Sequence, residues 1–259
     1  MKNLFLLLAV SLMMVACQDD RNHGNTTIAP AIDLSKYPAN LQKVFAKHGS
    51  LATWKKMKAL SYEIVKEEGN EKQAIDLQNR RERIEASNFK TGYDGTNFWL
   101  EADTSYKGNA VFYHNLMFYF YAMPFVLADD GIIYGATEPL EYEGKAYPGI
   151  RISYNDGVGV SSKDEYFIHY DPTTYEMAWL GYTVTYFSGE KGKRISWIRY
   201  NDWKEMSGVV LPNSLTWFKV EEGKLIEPRN TRKFANIKVS ETALVDAVFA
   251  KPAGAEIVE

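Results

Sequence analysis

Along this chain, helical spacing of apolar residues marks two stretches near the front and one in the middle. Most of the remainder alternates with the period of strands. Leu41, Val44, Phe45 and His48 fall on one face of a first helix that Gly49 ends. Ser50 caps a second helix with Leu51, Trp54, Met57 and Leu60 on its buried side. After Ser61 the pattern predicts strands at 62–66, 73–78 and 83–89, with a turn at Gly69-Asn70. Tyr93-Asp94-Gly95 then turns into Phe98-Trp99-Leu100. Residues 109–123, NAVFYHNLMFYFYAM, break the alternation. Asn109 caps a helix there, Pro124 ends it, and its nearly all-round apolar surface predicts burial on most sides.

The stretch 164–187, DEYFIHYDPTTYEMAWLGYTVTYF, organises the rest. Asp171-Pro172 supplies a tight turn between one strand and a long second strand over 175–187, with Gly181 at a bend. Met177, Trp179 and Phe187 occupy one parity of that strand, and Leu180, Tyr182, Val184 and Tyr186 the other. Both faces therefore need cover. Further hairpins follow at Gly144-Lys145 and Gly223, with strands at 149–154, 194–200, 209–220 and 234–239 and a short helix near 245–249. The fold class is mainly β with α: a curved antiparallel sheet forming an incomplete barrel, covered by the N-terminal and central helices.

The front end changes the picture of where this domain works. Lys2 and the apolar run from Leu4 read as a signal segment over 1–16, too short to span a bilayer as a helix. It closes on Met14-Val15-Ala16-Cys17, which resembles the lipobox of bacterial lipoproteins, with Met14 where Leu is usual. The resemblance implies cleavage before Cys17 and its acylation, and Cys17 is the one cysteine of the chain. Gln18-Asp19-Asp20 is similar to a surface-export signal of some Gram-negative lipoproteins, and equally reads as a plain polar tether. Residues 17–33 lack any apolar period, so a disordered tether is expected, reaching roughly 45 Å at about 3.3 Å per residue. Residues 34–259 then form a single domain.

Composition removes several classes. Hydrophobic residues make up 46% and charged ones 24%, which permits a proper core. With 30 basic and 33 acidic residues the formal charge is −3, giving no electrostatic reason to expect nucleic acid. A single cysteine excludes an intrachain disulfide framework.

The order of HGSLATWKKMKAL, YDGTNFWL, an apolar helix ending in MPF, YFIHYDPTTYEM, GVVLPNSLTWF and VDAVFAKP resembles the outer-membrane lipoprotein carriers and receptors of the LolA/LolB-like superfamily, especially its uncharacterised lipoprotein members. The resemblance implies an incomplete antiparallel barrel around a hydrophobic cavity roofed by helices. It carries no functional residue over to a particular position here.

Chemistry-bearing motifs are sparse. His23 lies in the tether, His48 on a helix's last turn where a cation suits the dipole, and His114 and His169 among aromatics without a second ligand at metal spacing. Ser87-Asn88-Phe89-Lys90 and Lys90-Thr91-Gly92 match two penicillin-recognition motifs but share one lysine, which cannot serve both. The adjacent acids Asp129-Asp130 and Asp164-Glu165 read as turn and strand-end residues. Gly157-Val158-Gly159 reads as a flexible loop. No cofactor, metal site or catalytic group is expected. The aromatics Trp99, Phe112, Phe118, Phe120, Trp179, Tyr182 and Tyr186, with Met123, line a ligand cavity or pack as core. The expectation is a membrane-anchored envelope lipoprotein, at the outer membrane of a Gram-negative bacterium, that binds a lipid, acyl chain or lipoprotein without catalysis. The alternative is a protein-interaction or stress-sensing surface lipoprotein with an envelope protein partner.

Overall fold

The computed structural model describes residues 32–155, 163–185 and 194–259. The signal segment, Cys17, tether residues 17–31, His23, the Gly157-Val158-Gly159 loop, Tyr186 and Phe187 lie outside the described residues. The unit Ile32–Glu259 opens with helices Ala39–Lys47 (α1) and Leu51–Lys56 (α2). Ser50 Oγ accepts the Thr53 N–H at 3.2 Å, the cap read from the sequence. A meander follows: Ala59–Ile64 (β1), Glu71–Asp76 (β2), Glu82–Glu85 (β3), Phe89–Tyr93 (β4) and Phe98–Ala102 (β5). At its last turn Asp94 Oδ1 accepts the N–H groups of Thr96 and Asn97, and Gly95 takes the left-handed backbone that the turn needs (φ 106°).

The central segment carries Ala110–Tyr113 (α3), Leu116–Tyr121 (α4) and a 3₁₀ turn Phe125–Ala128. Strands resume with Ile132–Gly135 (β6), Leu140–Tyr142 (β7), Lys145–Tyr147 (β8), Gly149–Tyr154 (β9), Tyr166–Tyr170 (β10) and Met177–Tyr182 (β11). Then come Ser196–Arg199 (β12), Trp203–Met206 (β13), Val209–Pro212 (β14), Ser214–Glu221 (β15), Lys224–Ser240 (β16) and Glu256–Val258 (β17).

Among the described residues thirteen strands form one antiparallel sheet in the order β17-β5-β4-β3-β2-β1-β16-β15-β12-β11-β10-β9-β6. Its end strands β17 and β6 do not pair with each other, so the barrel is incomplete, the expected fold class. Alternation sets the inner face: Leu60, Ile75, Ile84, Ile152, Ile168, Leu180, Ile198 and Leu215 are all essentially inaccessible to solvent. The same core takes in Leu41, Val44 and Phe45 of α1 and Trp54 of α2. Trp54 stacks on Phe125 with ring centroids 4.8 Å apart.

The two-sided strand is found, but it is shorter than its pattern suggests. It spans only Met177–Tyr182 and begins after Tyr175, which adopts φ 60° in the turn. Asp171 Oδ1 accepts the N–H groups of Thr173 and Thr174 there, as the Asp-Pro pair implies. A register shift opposite His169 and Tyr170 puts Met177 and Leu180 together in the inner core and Trp179 outside. The hairpin β7–β8 covers that outer face, packing Tyr142 and Tyr147 against Trp179, Trp197 and Phe218. The long strand of the molecule is instead β16, with 17 residues.

His48 also departs from its sequence reading. It is fully buried, and its Nε2 accepts the Met177 N–H at 3.1 Å while Nδ1 faces the Val210 carbonyl at 3.4 Å. Burial holds its pKa down to about 4, so at neutral pH it is an uncharged clamp rather than a cation on the helix dipole.

Candidate functional site

Residues 109–128 form a plug seated against the inner face of the sheet. Asn109 caps it, its side chain accepting the Phe112 N–H at 2.8 Å. The single helix expected over 109–123 is broken at Asn115, which takes left-handed backbone (φ 56°). Asn tolerates that conformation, and Glu82 on β3 takes the freed Asn115 N–H at 2.8 Å. The far end is held by tyrosines: Tyr200, Tyr134 and Tyr37 donate to the carbonyls of Phe120, Leu127 and Ala128.

Of the aromatics read as ligand-lining, Phe118, Phe120 and Met123 are buried on the plug. Tyr182 of β11 meets Phe120 at 5.0 Å, and its hydroxyl accepts from Trp217 Nε1 at 3.0 Å. Phe112 is half-buried on α3. Trp99 faces the other side of the sheet from Phe98. There its Nε1 donates to the Phe249 carbonyl, and Gly92 leaves room for its ring. Trp179 sits in the outer cluster with Tyr142 at 4.8 Å. The inner face thus brings together Phe118, Phe120, Met123 and Tyr182, while Trp99 and Trp179 point away from them. Tyr154, Tyr166 and Tyr182, half-buried on successive strands, form a tyrosine rim beside Phe120.

Beneath the plug lies a polar floor that the sequence reading missed. Tyr62 donates to Gln73 Oε1 at 2.5 Å, and Gln73 donates to Glu71 at 2.7 Å. Glu71 also receives the Tyr113 hydroxyl at 2.7 Å and Lys66 Nζ at 2.6 Å. Burial, then the Glu71 carboxylate, push Tyr113 far above the ordinary tyrosine range, so its hydroxyl stays a donor. Glu82 Oε2 accepts from His114 Nδ1 at 3.1 Å as well as from Asn115. The signal was available: Glu71, Gln73 and Glu82 share the inward parity of Ile75 and Ile84, where a polar residue needs a partner.

That floor is incompletely paired. Among the described residues five buried side-chain polar atoms lack a hydrogen-bond partner: Trp179 Nε1 in the outer cluster, and here Arg80 Nη1, Glu82 Oε1, Asn115 Oδ1 and the Tyr121 hydroxyl. The last four lie where plug meets sheet: Asn115 contacts Arg80 and Glu82, Arg80 covers Phe118, and Tyr121 packs on Tyr62 and Phe234. Among the described residues, no group of three or more His, Cys, Asp or Glu is arranged to hold a metal. His169 is buried, with Nδ1 2.9 Å from the Tyr147 carbonyl, and burial lowers its pKa. A surface groove of about 760 Å³ lies on the outer face, lined by Lys72, Ala74, Arg83, Lys238 and Val245 among others.

The chain belongs to the family of unknown function DUF6503, which matches residues 89–220, just over half of the sequence. That span contains the whole plug and the hairpin β10–β11. No curated protein matches the sequence. Among solved structures the chain is similar to a LolA superfamily protein, NE2245, from Nitrosomonas europaea (TM-score 0.48, 8% identity, covering 82% of this chain and 97% of that one). It is similar also to a DUF1329 family protein from Desulfovibrio piger (TM-score 0.48, 11% identity, 82% and 96% covered). A third is an outer membrane lipoprotein-sorting protein domain from Vibrio parahaemolyticus, described there as putative (TM-score 0.40, 7% identity, 79% and 96% covered). The LolA-like resemblance read from element order is met again in these likenesses.

Proposed function

We propose that the protein is a membrane-anchored cell-envelope lipoprotein that receives an apolar ligand (a lipid, an acyl chain or a lipoprotein's acyl groups) on the inner face of the half-barrel. The ligand takes the place of the plug. Catalysis is not part of this reading. The observation that carries it is the set of four buried polar atoms along the plug–sheet seam that have no partner among the described residues. Each such atom offsets the seating of the plug by about 1–3 kcal/mol. The helical pieces of the plug have 4 and 6 residues, too short to hold together off the sheet. Its apolar side chains (Phe118, Phe120, Tyr121, Met123, Phe125) occupy the volume that an acyl chain would fill. Trp99 and Trp179, which face away, are in this reading supports of the sheet, while Phe112 and the tyrosine rim sit at the mouth.

In this reading the chain is anchored through Cys17 of Met14-Val15-Ala16-Cys17 and works at the outer membrane, on its periplasmic side or at the surface. Cells fed a labelled fatty acid should label the wild-type chain and not C17S. For the ligand, the full chain purified without detergent is examined by native mass spectrometry and organic extraction. A co-purifying apolar molecule supports the reading; ligand-free protein that also takes up no hydrophobic dye rejects it.

A second reading, a protein-interaction module of the envelope, is favoured by the filled interior and by Ile133, 47% exposed on edge strand β6. Cross-linking from position 133 in cells would capture a protein partner in that case.

A further inference from the structure

At the end of the plug, Asp129 meets Arg80 beside an opening of about 520 Å³ whose lining includes Lys36, Tyr37, Lys55 and Asp130. Arg80 stands in the turn after β2 with left-handed backbone (φ 58°), a conformation that costs a side-chain-bearing residue energy. Its guanidinium lies over the Phe118 ring, 4.7 Å from the centroid. Arginine and carboxylate ordinarily meet fork to fork, one nitrogen to each oxygen. Here Nη2 alone donates to both Asp129 oxygens, at 2.9 and 2.8 Å, and Nη1 is buried with no acceptor among the described residues. Lys36 and Lys55 are exposed on the rim, and Lys55 acts electrostatically on Asp129. Three cations thus face two carboxylates, and although Arg80 also interacts with the Tyr119 hydroxyl, its Nη1 has no acceptor within hydrogen-bond distance among the described residues. Burial raises the Asp129 carboxyl above its ordinary value in spite of Arg80 and Lys55, so its ion pair is open to competition.

We propose that this opening binds the anionic head group, phosphate or carboxylate, of the amphiphile whose apolar part displaces the plug. This rests on the reading that the inner face takes an apolar ligand. The head group accepts from Arg80 Nη1 and from Lys36 and Lys55, and draws Arg80 off Asp129. Because Arg80 rests on Phe118, an anion at Nη1 sits directly beside the apolar volume of the plug. Releasing Asp129 frees the end of the plug, so head-group binding and plug displacement favour each other.

Calorimetry on the full chain with decyl phosphate, decanoate, decanol and inorganic phosphate tests this. The two anionic amphiphiles should bind about tenfold or more tighter than decanol, the worth of one or two charge-assisted hydrogen bonds. R80Q should lose most of the preference of the two anionic amphiphiles over decanol, the remainder resting on Lys36 and Lys55, and should bind decanol at least as tightly as wild type, because Asp129 is already released. A second variant, K36Q/K55Q, alters only exposed lysines and should weaken the anionic amphiphiles several-fold and leave decanol unchanged. Equal affinities for anionic and neutral amphiphiles, or a preference fully retained in both variants, would overturn the proposal and leave the apolar-ligand reading standing. Inorganic phosphate binding as tightly as decyl phosphate would point to a free anion and overturn the head-group assignment. No binding of any decyl compound would overturn both readings.

Discussion

The Tyr200 hydroxyl donates to the Phe120 carbonyl at 2.7 Å, a fully buried bond that ties α4 to the strand wall opposite. Both burial and the short distance make it one of the firmest anchors of the plug. Y200F leaves that carbonyl unpaired in the core, and a loss of about 1–3 kcal/mol in folding stability is expected. Urea denaturation measures it, and a midpoint equal to wild type would show that the anchor contributes nothing.

The opposite sign is expected at Tyr121. Its hydroxyl is buried against Tyr62 and Phe234 without a hydrogen-bond partner among the described residues. Y121F removes an unsatisfied group while keeping the ring, so stability should rise by about 1 kcal/mol. A destabilised Y121F would mean that the hydroxyl is satisfied in solution, and one of the four seam defects would disappear.

His48 gives a pH dependence whose direction follows from its burial. Its folded pKa of about 4 lies below the ordinary value of 6.5, so the unfolded chain binds the proton more readily across that window. Stability from this group is complete above pH 6.5 and is lost as pH falls towards 4, amounting to about 3 kcal/mol. His169, also lowered by burial, adds in the same direction, whereas Asp171, held down to about 2 first by its bond to Lys145, acts only at lower pH. Comparing wild type with H48Q at pH 7 and pH 4.5 isolates the contribution of His48: the slope should be shallower in the variant.

Gly92 tests the outer side of the sheet. A Cβ there would stand 2.4 Å from the Glu82 carbonyl oxygen and 2.6 Å from the Trp99 ring. G92A should therefore cost about 2 kcal/mol or more by displacing the indole from its bond to Phe249. Wild-type stability in G92A would mean that Trp99 has room to move.

Much of the architecture was legible in advance. Gly95, Asp171 and Ser50 each sit at a turn or cap whose local chemistry admits few alternatives, and they were placed correctly. The strand around Trp179 was read as two-sided, and both faces are covered. What was not legible depends on partners distant in sequence. The break at Asn115 is made possible by Glu82, 33 residues away. His48 looked like a helix-end cation because its acceptor and donor partners, Val210 and Met177, come from other elements. Alternation told which parity Trp179 and Met177 occupied but not that a register shift would separate them. The pairing of the polar floor is not legible because Glu71, Gln73 and Glu82, though at inward positions, take their partners Tyr113, Tyr62 and Asn115 from other elements.

Hydrogen exchange on the full chain, with and without saturating decanol, tests the central claim most directly. If a neutral apolar ligand replaces the plug, amides of residues 116–128 should exchange faster in the bound protein while those of β1 and β16 are unchanged. Bound decanol with those plug amides equally or better protected would contradict the account.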